Sequence, residues 1–133
     1  MAGRKGKRAR QQRPTDGELE ILRVLWARGP STVRQVHQAI LADKDTSYNT
    51  TLKLMQIMHA KGAVTRDETR RPQVFQAALP EGRMQQRLVS DLLERAFGGS
   101  ARKLVAALTA TDIDEDELAE IRRLLDEAGE KQR

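Results

Sequence analysis

The stretch Thr46-Ser47-Tyr48-Asn49-Thr50-Thr51-Leu52-Lys53 decides how the rest of this chain is read. It opens a helical pattern that closes at Gly62, and a hairpin-like segment follows. Ser47 or Thr46 supplies the N-cap, since a short hydroxyl side chain accepts from the free amides of a first turn. Leu52, Met55 and Met58 recur at helical spacing and form the inner face. Gly62 is the expected C′ residue, and Lys61 lies favourably near the negative helix end. Ser47, Asn49, Thr50 and Lys53 fall near one exposed arc.

Two more helices are legible upstream. Thr15-Asp16-Gly17-Glu18 is a capping box, and Leu19, Leu22, Leu25 and Trp26 repeat behind it until Gly29-Pro30 stops the helix. Trp26 reads as a core anchor. Thr32-Val33-Arg34-Gln35 is a second capping box, followed by the apolar stripe Val33, Val36, Ala39 and Ile40 and the polar turn Asp43-Lys44-Asp45. Downstream, Val64-Thr65-Arg66 and Val74-Phe75-Gln76-Ala77 read as strands around the charged loop Asp67-Glu68-Thr69-Arg70-Arg71-Pro72. Three short helices followed by a β-hairpin describe a winged helix-turn-helix, with Arg70 and Arg71 at the wing tip.

After the break at Pro80-Glu81-Gly82 a helical pattern runs from about Arg83 to Phe97, with Met84, Leu88, Leu92 and Phe97 inward. Gly98-Gly99 ends it. A short helix from Ala101 to Leu108 carries Leu104, Val105 and Leu108. A last one from Asp114 to Ala128 carries Leu118, Ile121, Leu124 and Leu125 on one face. Three amphipathic helices without a core of their own need a partner. A homodimer is the simplest partner, and packing back on the first domain is the alternative. The expected fold is therefore mainly α: a basic tail over residues 1–13, a winged helix over 14–80 and a C-terminal helical dimerisation domain over 81–129.

Bulk properties agree. A chain of 133 residues makes one domain or two small ones. Aromatic residues are only 3%, so Leu, Ile, Val, Met and Ala must fill the core, which suits helices better than a β-sandwich. The absence of cysteine excludes disulfides, cysteine-type zinc fingers and cysteine nucleophiles. There is no apolar run of about 18 residues and no signal-peptide core, so no membrane partner is expected and a cytoplasmic location is. His37 and His59 are the only histidines, neither at metal-ligand spacing from a cysteine or a carboxylate pair. There is also no Gly-rich phosphate loop. No catalytic residue, metal ligand or cofactor is expected.

Charge is unevenly placed. Residues 109–133 hold nine acids and four bases, a net of −5, so residues 1–108 carry +10. Arg4, Lys5, Lys7, Arg8, Arg10 and Arg13 supply six of those cations in a segment too polar to fold, which is expected to be mobile and able to track phosphates. A basic front and acidic back point to a polyanion. A Ser/Thr/Asn cluster alone is more often just a cap. The preceding helix, the hairpin and the charge turn it toward DNA. Asn pairs bidentately with adenine, Thr offers a hydroxyl and a methyl, and Lys53 can reach guanine or phosphate. The candidate DNA-contacting set is Thr32, Ser47, Tyr48, Asn49, Thr50, Lys53, Arg70 and Arg71.

The ordered segments Leu19-Glu20-Ile21-Leu22-Arg23-Val24-Leu25-Trp26, Thr32-Val33-Arg34-Gln35-Val36, Tyr48-Asn49-Thr50-Thr51-Leu52 and Lys61-Gly62-Ala63-Val64 resemble the penicillinase-repressor family. So do Leu93-Glu94-Arg95-Ala96-Phe97-Gly98-Gly99-Ser100 and Leu104-Val105, and the likeness covers about Arg13 to Glu127. It implies a repressor that binds a palindromic operator as a homodimer and reads the major groove with the start of its third helix. Thr50 matches the family's threonine there, Asn49 and Lys53 occupy neighbouring contact positions, and Ile57 stands where many relatives carry arginine. The resemblance also implies a sensor protease as a partner. Resistance repressors of the family are cut at an Asn-Phe bond, and the matching stretch here is Ala107-Leu108. Copper-responsive relatives sense metal through a C-terminal cysteine cluster that this chain lacks.

Three functions remain open at this stage. The leading one is a dimeric, sequence-specific transcriptional repressor. The others are a non-specific nucleic-acid or nucleoid-binding protein, and a winged-helix protein-interaction module.

Overall fold

Each of the first three helices begins at a hydroxyl. Thr15 Oγ1 accepts from the Glu18 amide at 3.2 Å while Glu18 Oε1 accepts from the Thr15 amide at 2.8 Å, closing the capping box that starts α1, Asp16–Arg28. Thr32 and Gln35 repeat the arrangement, at 3.2 and 2.9 Å, to start α2, Val33–Leu41. Ser47 caps α3, Tyr48–Lys61, by accepting from the Thr50 amide at 3.1 Å. Such caps satisfy amides that have no partner within the helix, each contributing about 1 kcal/mol. Gly62 takes the left-handed conformation at the end of α3, with φ +81°, and glycine meets no Cβ penalty there.

The computed structural model describes residues 13–132, and all but Arg13 of the expected basic tail lies outside the described residues. Among the described residues, α3 is followed by β1 (Val64–Asp67) and β2 (Val74–Ala77), then by α4 (Glu81–Phe97), α5 (Ala101–Thr109) and α6 (Glu115–Lys131). The expected winged helix-turn-helix is present, and a C-terminal helical segment follows it. Differences from the sequence reading are small. β1 continues to Asp67, α4 starts at Glu81, and α6 runs past Ala128 to Lys131 with Asp114 as its cap.

The strands are antiparallel, with Val64 opposite Ala77 and Arg66 opposite Phe75. Phe75 also exchanges two backbone hydrogen bonds with Ser31, at 2.8 and 2.9 Å. β2 is thus paired on both sides, and the wing is fastened to the α1–α2 turn. Ser31 is buried, and its hydroxyl donates to the Gly29 carbonyl at 2.9 Å, so the buried polar group is satisfied.

One core serves α1 to β2. Ile21, Leu22 and Leu25 from α1 meet Val36 and Ile40 from α2, Met55 and Met58 from α3, and Val64 and Phe75 from the wing. Each such side chain contributes about 1.5–3 kcal/mol on burial. Leu19 and Ala39, expected inside, are half-buried, whereas Ile21 and Thr51 are buried. Trp26 packs against this core and donates from Nε1 to the Leu79 carbonyl at 2.9 Å, in keeping with an anchoring role.

The chain divides into two compact units, the first ending at Leu88 and the second starting at Val89. The break falls inside α4 because Met84 is buried in the first core and Leu88 packs against it. In the second unit Gly98 and Gly99 turn the chain with φ +58° and +82°, and the Gly99 amide donates back to the Leu93 carbonyl at 2.8 Å. Ser100 then caps α5. No residue of α5 or α6 is buried.

Candidate nucleic-acid interface

The helical period sorts α3 into an inside and an outside. Thr51, Met55 and Met58 are buried on one side, which turns Asn49, Lys53 and Ile57, spaced four residues apart, to the other. Asn49, Thr50 and Lys53 are exposed. The amide and ammonium groups that suit base edges are therefore on the face away from the core. Thr50 is partly committed: its hydroxyl lies 2.8 Å from Ser47 Oγ, inside the cap. Ser47 is exposed but uses its oxygen as the N-cap.

Tyr48 has a different neighbourhood. It is 43% exposed and meets His37 edge to face, with ring centroids 5.8 Å apart. His37 Nε2 lies 2.9 Å from the Thr46 carbonyl, an acceptor, so that nitrogen donates. α2 thereby holds the residues just before α3, and the start of the helix keeps a fixed exit direction.

A groove of ≈540 Å³ runs between the N-terminus of α2, one flank of α3 and the base of the wing. Thr32, Arg34, Tyr48, Gln56, Arg66 and Arg71 are among the residues that line it, and no carboxylate does. Of the residues expected from sequence, the groove gathers Thr32, Tyr48 and Arg71. Ser47, Asn49, Thr50, Lys53 and Arg70 are not part of its lining. Arg70 and Arg71 are exposed in the wing loop. That loop is shaped by Asp67, which accepts from the Thr69 amide at 3.0 Å and from the Thr69 hydroxyl. These hydrogen bonds, the hydroxyl's first, together with Arg70 nearby, hold the Asp67 carboxyl below its usual range.

The sequence reading missed Arg34, Gln56 and Arg66. Signals for them existed. Arg34 lies inside the second capping box, two residues after Thr32, and Gln56 continues the spacing of Tyr48 and Leu52. Arg66 alternates with Val64 along β1 and so shares its inward face.

Among the described residues, no group of three or more His, Asp or Glu side chains is placed to hold a metal ion, and no helix is long and apolar enough to cross a membrane.

The residues expected at a dimer contact lie in two settings. Leu88 packs against the core of the first unit. In the second unit Leu92, Leu108, Leu124 and Leu125 are exposed, at 43–56%, and Leu104, Val105, Leu118 and Ile121 are half-buried.

Comparison with known proteins agrees with this architecture. The family model described as penicillinase repressor matches residues 14–127. A transcriptional regulator BlaI of Mycobacterium tuberculosis, found in two strains, is 28% identical over 120 residues, spanning 90% of this chain and 87% of the relative. Because the family match runs from the cap of α1 into α6, through both compact units and not the winged helix alone, the chain belongs to the penicillinase repressor family.

Proposed function

We propose that this protein is a cytoplasmic transcriptional repressor that binds a palindromic DNA operator as a homodimer. The observation that carries the reading is the outward face of α3. Asn49, Thr50 and Lys53 stand exposed opposite a buried stripe, beside a cationic groove that ends on the wing. α3 would enter the major groove, with Asn49 and Lys53 facing base edges and Thr50 offering its methyl group. Arg70 and Arg71 would meet phosphate from the wing, and Thr32 would face the backbone from the start of α2.

The C-terminal helices supply the second half of the proposal. Eight residues expected at the contact are at most half-buried in one protomer, four of them large leucines left exposed. A second copy would cover them, and the two-fold axis of the dimer would match a palindrome. A sensor protease is a further proposed partner. The bond to examine is Ala107-Leu108, whose residues are exposed in the last turn of α5.

The test is fluorescence anisotropy with duplexes selected from a random pool and with scrambled controls, across a salt series. Sequence-specific repression requires a preference of about a thousandfold or more near physiological salt. Equal, steeply salt-dependent affinity for all duplexes would replace the proposal with non-specific nucleic-acid binding. A dimer without affinity for any duplex at low salt would point to a protein-interaction module.

A further inference from the structure

The groove beside α3 contains one cation that is already engaged. Arg66 lies opposite Phe75 in the antiparallel register, so its stem shares the inward face of the hairpin with a core residue. Arg66 is one of the residues that line the groove. Glu68, in the wing loop and outside the groove lining, takes its guanidinium: Arg66 Nε and Nη2 both lie 3.0 Å from Glu68 Oε1. The Arg66 side chain is 28% exposed and that of Glu68 is 64% exposed. Arg34 and Arg71, the other two cations of the lining, have no such carboxylate against them in the groove.

We propose that the groove seats a phosphodiester strand of the bound duplex, and that Glu68 acts as a built-in competitor which withholds Arg66 from that strand. The inference rests on the DNA-binding reading above. Its physics is simple. A guanidinium paired with a carboxylate has no net charge to offer, so it displaces few counterions from DNA. The carboxylate is also repelled by the phosphates that approach it. Arg66 must leave Glu68, or carry it along, to contact the strand. Glu68 therefore lowers affinity for every sequence equally, since it acts on the backbone and reads no base.

The Glu68 side chain is 64% exposed on the wing surface, so replacing it leaves the core intact. Glu68→Gln should tighten binding to specific and scrambled duplexes alike, by about threefold to tenfold at low salt. It should also steepen the slope of log affinity against log salt by about 0.9, one additional phosphate contact. Arg66→Gln in the parent should weaken binding, because it leaves the Glu68 carboxylate unpaired near the phosphates, and Arg66→Gln combined with Glu68→Gln should erase the gain. Unchanged or weaker binding by Glu68→Gln, with the parent binding DNA normally, overturns the inference alone. A gain that persists without Arg66 overturns it too, because long-range charge would then be the cause. A parent that binds no duplex at low salt overturns both this inference and the DNA-binding reading.

Discussion

The Lys61 ammonium donates to both carboxylate oxygens of Glu18, at 3.0 and 2.9 Å, joining the last residue of α3 to the first turn of α1. The two ends are 43 residues apart in sequence. Glu18 already accepts from the Thr15 amide at 2.8 Å, so one carboxylate closes a helix cap and anchors the exposed helix at its far end. Burial alone would raise the Glu18 carboxyl. The Thr15 amide, the Lys61 ammonium and the Thr15 hydroxyl outweigh it and hold the group below its ordinary value of 4.5.

A pH dependence follows from that direction. A depressed carboxylate contributes stability that is fully present above its unfolded value and is lost as pH falls through the folded one. Glu18 should therefore support the fold above about pH 4.5 and weaken it progressively in more acidic solution. Lys61→Ala leaves the Glu18 side chain, 3% exposed, without its counter-charge. We expect it to cost about 2–4 kcal/mol at pH 7 and much less near pH 3. Glu18→Gln frees an ammonium that is 33% exposed and can turn to water, and should cost less. Urea denaturation of the three proteins at both pH values checks the order. An equal loss at pH 3 and pH 7 for Lys61→Ala would contradict it.

One substitution should act with opposite signs at two glycines. Gly62 has φ +81° and open space where a Cβ would stand, so Gly62→Ala pays only for backbone conformation. The expected cost is about 1 kcal/mol. Gly82 lies in the first turn of α4 with nothing within 4 Å, and its φ is not in the left-handed region. Gly82→Ala should be neutral to stabilising, by up to about 1 kcal/mol. The thermal midpoint of Gly62→Ala should fall below that of the parent, and that of Gly82→Ala should lie at or above it.

Local signals made most of this fold legible. The two capping boxes, the hydroxyl before Tyr48 and Gly62 are short-range devices, and the structure uses each as the sequence suggests. What stayed hidden depends on residues far apart in the chain. No periodicity shows that Ser31 pairs with Phe75, or that Lys61 meets Glu18. Arg66 is similar: β alternation gives its face, but only the packed wing brings it into the same groove lining as Arg34 and Gln56. Leu88 had the spacing of the C-terminal stripe, and the structure seats it on the first core because α4 begins there.

Base reading and backbone holding should separate by mutation. Asn49 is exposed on the face of α3 opposite the core, and Arg71 lies on the groove below the wing tip. Asn49→Ala should cost about 1–3 kcal/mol of discrimination at one operator position while barely changing affinity for scrambled DNA. Arg71→Ala should weaken all duplexes alike and reduce the salt slope by about 1. Anisotropy titrations with a panel of single-base operator variants distinguish the two. If Asn49→Ala binds every operator variant as well as the parent, the assignment of that residue fails.

The proposed self-association of the C-terminal helices has the most direct test. Leu124 and Leu125 are 56% and 54% exposed on a helix that otherwise presents mainly charged residues outward. Placing a charge on a face that a second copy covers costs several kcal/mol, because the charge is buried without a partner. Leu124→Asp with Leu125→Asp should therefore convert a dimer into monomer at micromolar concentration by sedimentation equilibrium. The winged helix has its own core, which includes none of α5 or α6, so its folding should persist in the variant. Binding to a palindromic duplex should weaken steeply, since two linked half-site contacts become independent. Affinity for an isolated half-site should stay near that of the parent. A parent protein that is monomeric at the same concentration, or a variant that remains dimeric, would move the interface away from this face of α6.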